Sequence, residues 1–117
     1  MHIEKLREHC ISKKGVEETF PFGEDTLVFK VMGKMFCLTS LSEPDSCNLK
    51  CDPEKAIELR QQFQSVQPGY HMSKVHWNTI TYNQDMNDKE ILKWADHSYD
   101  LVVSGLPKKL QKELLDS

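Results

Sequence analysis

The sequence predicts an α+β fold: a twisted antiparallel sheet with helices packed on one face. Three observations lead there. First, "LVFKV" at 27–31 alternates like a half-covered strand. A glycine turn too short for a crossover links it to a return strand at 35–41, so the pair must be antiparallel. Second, "SEPD" at 42–45 is turn chemistry, and "CNLK" at 47–50 follows it as a third short strand. Third, capping signals mark helices before and after these strands. The expected order is α, three strands, α, strand, α, α, which leaves the second face of the sheet open.

In residues 3–14, "IEKLREHCISKK", Ile3, Leu6 and Cys10 form one helical stripe. Lys13 and Lys14 suit the negative end of the helix dipole, and Gly15 suits the position just past it. Pro21 and Gly23 punctuate "VEETFPFGEDT", which reads as an ordered loop with Phe20 and Phe22 pinning it to the core. Gly33 with Lys34 supplies the hairpin turn. Asp52 caps a second helix with Pro53 at its first position, where a missing N–H does no harm. Ala56, Ile57, Arg60 and Phe63 have inward spacing there, and Pro68-Gly69 marks the end region. Residues 70–74 read as loop and 75–82 as strand, because "WNTITY" is aromatic and β-branched. Asn87 caps a third helix, with Glu90 three positions on. Ile91, Ala95, Ser98, Tyr99, Val102 and Leu106 trace its inner face. Gly105 closes it, and Pro107 opens a short last helix with Leu110 and Leu114 facing in.

The 117 residues suit one domain spanning the whole chain, 1–117, and can form a core without a metal or disulfides. No apolar run approaches the roughly 20 residues of a membrane span, so no membrane partner is expected. The charged start "MHIEKLREHC" lacks the apolar stretch of a signal peptide, which places the protein in the cytoplasm. Four cysteines form no CxxC pair. Cys47 and Cys51 sit on a strand reading that separates them by roughly 13 Å, whereas a disulfide needs Cα atoms within about 7 Å. The thiols are therefore expected reduced and half-buried.

Residues 68–80, "PGYHMSKVHWNTI", gather the groups that could carry chemistry. His71 and His76 are five apart. That spacing points them to opposite faces of a strand and is poor for joint ligation on a helix, so no metal is expected. Cys37 or Cys51 beside these histidines makes no spacing that demands a nucleophile–base pair, and no phosphate or dinucleotide loop is present, so neither catalytic residues nor a cofactor is assigned. A nucleic-acid reading uses Lys74 for phosphate, with Tyr70, His76 and Asn78 for stacking or hydrogen bonds. Lys30, Lys34 and Lys50 come from the strands, and Lys108 and Lys109 open the last helix. A net charge of −3 means that these lysines must converge on one basic stripe for phosphate to bind, and weakly. Packing is the competing reading of the same segment: Trp77 in the core beside the helices, Tyr70 and His71 on loop backbone.

Six pieces in order, "FPFG" at 20–23, "LVFKVMGKMF" at 27–36, "NLKCDPE" at 48–54, "PGYHMSKVHWN" at 68–78, "SYDLV" at 98–102 and "LPKK" at 106–109, resemble the MmcQ/YjbR family of small bacterial proteins. The resemblance covers nearly the whole chain and implies a fold like that of bacterial frataxin (CyaY). Members are commonly labelled DNA-binding through a proposed motif of two β-wings, and no catalytic set comes with the family. The resulting expectation is a non-enzymatic binder of DNA, weak and salt-sensitive. The alternative is a protein-interaction module that uses the open sheet face or an edge strand.

Overall fold

A computed structural model describes residues 1–69 and 72–117. Helix α1 (Ile3–Ile11) leads into β1 (Val16–Thr19), β2 (Thr26–Val31), β3 (Lys34–Ser40) and β4 (Ser46–Lys50). Helix α2 (Pro53–Gln62) is followed by β5 (Val66–Pro68), β6 (Trp77–Thr81), α3 (Asp88–Ser104) and α4 (Lys108–Leu115). The strands make one six-stranded sheet in the order β1-β2-β3-β4-β6-β5, with every neighbouring pair antiparallel.

One core joins the sheet to all four helices. Leu27, Phe29 and Val31 of β2 pack with Leu6 and Cys10 of α1, Ala56 and Leu59 of α2, Ile91 and Ala95 of α3, and Leu114 of α4. The α+β prediction therefore holds, with helices on one face. The caps also sit where the sequence puts them: Asp52 accepts from the Lys55 N–H at 3.2 Å, and Asn87 from that of Glu90 at 2.9 Å.

Local differences have physical causes. Helix α1 stops at Ile11, and the "VEET" segment forms β1 against β2. Its polar edge strand is held to α1 by a bidentate Arg7–Glu18 pair at 2.8 and 2.7 Å. Hydrogen bonds from Arg7, ahead of their charge attraction, hold the Glu18 carboxyl below its ordinary range. The hairpin turn is Met32-Gly33, with φ of 49° and 83°, as a two-residue turn matching strand twist requires. Phe20 and Phe22 do not pin their loop inward: they are 49% and 63% exposed. Ile57 also faces solvent, and Leu59 takes its place in the core. All four cysteines are free and fully buried rather than half-buried. No described helix is long and apolar enough to cross a membrane.

Candidate functional site

Strand pairing fixes which side chains share the face away from the helices. Val28 lies across from Leu38, Leu38 from Asn48, Asn48 from Thr79, and Thr79 from Gln67. Lys30 opposite Met35, and Lys50 opposite Trp77, occupy one end of this face. Thr26 opposite Ser40, and Ser46 opposite Thr81, occupy the other. The two ends are four strand residues apart, about 13 Å.

A small second core covers part of this face. Val28, Leu38 and Trp77 are buried there, with Met35 and Met72 packed against them. Trp77 does pack as expected, but on the side away from the helices. The loop after β5 presses close to it: the Gly69 N–H donates to the Trp77 carbonyl at 2.8 Å. A Cβ at Gly69 would lie 2.7 Å from that of Trp77, so no larger residue fits unless the strand shifts.

Side chains alternate, so turning Trp77 outward turns Asn78 inward. Asn78 is 1% exposed. Its Oδ1 accepts from Arg60 Nε at 2.7 Å, and its Nδ2 donates to the Ala56 carbonyl at 3.3 Å. Both ends of the amide are used, and Asn78 leaves the set of contact candidates. Arg60 is the residue that sequence reasoning placed inward without a role. Its guanidinium also donates to the carbonyls of Lys74 and Trp77, tying α2 to the loop before β6. The signal was its position four after Ala56 on the inner stripe of α2.

The lysines divide into two groups. Lys30 and Lys50 share one end of the open face, and Lys34 is exposed at the hairpin turn beside them. Lys74 lies in the loop leading to Trp77, its Nζ donating to the Gly69 carbonyl at 3.3 Å, and the exposed His76 follows. Lys108 and Lys109 stand exposed on α4, which packs into the core on the helix side through Leu114. The six lysines thus form no single stripe, because α4 belongs to the other layer. Among the described residues, the ion pairs take Lys5, Arg7, His9, Lys13 and the terminal amine, and none of these six. Tyr70, like His71, lies outside the described residues.

The opposite end of the open face is a groove of about 770 Å³. Phe22 flanks it on one side, Pro68 and Met72 on the other, and Leu38 with Asn48 and Thr79 contributes to its floor. Asp25, Glu43 and Asp45 line it, and no lysine, arginine or histidine does among the described residues. Asp25 Oδ1 accepts from the Ser42 N–H at 2.8 Å, and its Oδ2 from the Ser40 and Ser42 hydroxyls at 3.0 Å each. Those hydroxyl bonds, the Ser42 one foremost, hold its carboxyl below the ordinary range.

Under the helices, hydrogen bonding with the thiols of Cys10 and Cys47, then burial, pushes the Cys37 thiol well up. Burial, then the nearby Asp52 charge, pushes Cys51 up to about 11. Thiols held protonated in this way are poor nucleophiles. His97 Nε2 accepts from the Asp52 N–H at 3.2 Å, so the proton of the neutral ring sits on Nδ1. Burial, and next the charge of Lys55, lowers its pKa. Among the described residues no three histidine, cysteine or carboxylate side chains are arranged to hold a metal.

Sheet, helices and a half-covered free face define a class: small α+β domains with one unpartnered sheet surface. The family model described as YjbR matches residues 11–101, and the chain belongs to the YjbR family. Among its relatives, the uncharacterized protein YbdF of Escherichia coli O157:H7 is 39% identical over 85% of this chain and 82% of its own length. The uncharacterized protein YjbR of Escherichia coli K12 is 31% identical over 98% of each chain. The crystal structure of Deinococcus radiodurans protein DR2400, a DUF419 domain, superposes with a TM-score of 0.90 at 39% identity, covering 97% of this chain and 87% of that one. A Pseudomonas syringae protein gives a TM-score of 0.74 at 25% identity over 86% of this chain and 98% of its own.

Proposed function

We propose that this chain is a non-enzymatic binding protein that contacts the DNA backbone through the basic end of its open sheet face. One observation carries the reading. Strands β2 and β4 bring Lys30 and Lys50 to the same face and the same end, two strands or about 10 Å apart. Lys74 lies at that end too, whereas Lys34, opposite the core residue Val31, belongs to the helix side of the same turn. Glu17 faces Lys30 across the β1–β2 ladder, yet none of Lys30, Lys50 and Lys74 is in an ion pair among the described residues. Three such cations contact phosphates without reading sequence, and His76 adds a hydrogen bond. The four buried free thiols suit a reducing, cytoplasmic setting.

The test is a titration of duplex and single-stranded DNA across a salt series. Binding near 10 to 100 µM at low salt is expected, with a log–log salt slope of about −2 to −3. Lys50→Ala and Lys74→Ala should each weaken it. No binding at those concentrations, or affinity untouched by both substitutions, removes the reading.

A second reading rests on the exposed Phe22 at the rim of the same face, which a protein partner would bury. It predicts a defined partner released by Phe22→Ser and retained by Lys50→Ala.

A further inference from the structure

We propose that the groove at the acidic end of the open face binds a small organic cation: an amine or guanidine carried on an apolar skeleton. The site is separate from the DNA-contacting end and stands on other residues. At about 770 Å³ the groove falls in the range of small-molecule sites, roughly 300 to 1,000 Å³. Leu38, Phe22, Pro68 and Met72 give it apolar walls, and Phe22 is exposed enough to lay its ring against a ligand.

Charge selects the ligand. Asp25, Glu43 and Asp45 line the groove with no lining cation among the described residues, so an anion is repelled and an ammonium or guanidinium is attracted. Asp25 is already ionised and aimed by the Ser40 and Ser42 bonds, so its charge is set before a ligand arrives. Asn48 and Thr79 add polar groups below, joined to each other by a 2.5 Å hydrogen bond. The floor is the face of the sheet and not an edge. The edge strand at its rim, β5, is three residues long and ends in Pro68, so an extended peptide would find little ladder to join, which favours a free small molecule over a partner's chain.

Calorimetry with tryptamine and indole-3-acetate tests this, since the two share an aromatic skeleton and differ in the sign of charge. Tryptamine should bind about tenfold tighter or better, with amide NMR shifts centred on Ser46, Asn48 and Thr79. The double variant Glu43→Gln/Asp45→Asn should weaken tryptamine about fivefold or more, and Phe22→Ala should weaken it as well. Lys50→Ala should leave it unchanged. Both substituted carboxylates are exposed and Asp25 is left in place, so the fold is kept. Equal binding of the indole acid, indifference to the double variant, or no binding by about 10 mM overturns the proposal. So does an acetylated, amidated Leu-Lys-Leu peptide binding about tenfold tighter than tryptamine, which would assign the groove to a partner's lysine.

Discussion

Arg60 and Asn78 show how a single side-chain orientation decides a role. The sequence marks 68–80 as unusual, and it is: the segment is tied to α2 by a guanidinium with three acceptors. What the sequence leaves open is strand parity. A one-residue choice sends either Trp77 or Asn78 to the helices, and an apolar residue facing the helices was the natural expectation. The second core on the free face reverses it, because Val28, Leu38 and Met72 offer the indole a covered site there. Arg60→Ala should therefore cost about 2 kcal/mol in urea unfolding, since it strands the buried Asn78 amide. Lysine should not restore the loss, having no planar fork. His97 adds a pH dependence. Its folded pKa lies below the unfolded value, so its contribution is full above roughly pH 6.5 and declines as pH falls from there through the folded pKa. A His97→Gln variant should show a flatter stability profile below that pH by thermal melts.

Among the elements, caps and hairpins were legible, and the two edge strands were not. Asp52-Pro53 and Asn87 carry their signals in side-chain chemistry that acts within one turn. Strand β1 is four residues with two glutamates, and β5 is three residues ending in proline. Neither has strand propensity of its own, and each exists because β2 or β6 offers a ladder. Helix α3 enters the sheet in a way that no periodicity reveals. Ser98 Oγ donates to the Phe36 carbonyl at 2.5 Å and accepts from the Lys50 N–H at 2.9 Å, bridging β3 and β4 where their pairing ends. Ser98→Ala should cost about 1 to 3 kcal/mol and speed hydrogen exchange at the Lys50 amide, because two buried backbone groups lose their partner.

At the scale of the whole molecule, charge is unevenly spread along one face: Lys30 and Lys50 at one end, with Glu17 opposite Lys30, and Asp25, Glu43 and Asp45 about 13 Å away at the other. Composition alone reports only the surplus of acid. The free face also explains why the proposed basic patch holds three of six lysines: Lys108 and Lys109 stand on α4, and Lys34 faces the helix layer opposite Val31. Lys108→Ala/Lys109→Ala should leave DNA affinity within about twofold, whereas Lys30→Ala/Lys50→Ala should lower it about tenfold or more at low salt, by fluorescence anisotropy. The sheet borders carry a different consequence. Pro68 closes β5 without a donor, and Glu17 and Glu18 lie along the short β1. Molecules meeting border to border find a missing N–H on one side and like charges on the other, so concentrated protein should resist fibre growth. A Pro68→Val/Glu17→Thr variant removes both guards while keeping the Arg7–Glu18 pair that holds β1, and should turn thioflavin-positive under agitation while the parent stays clear.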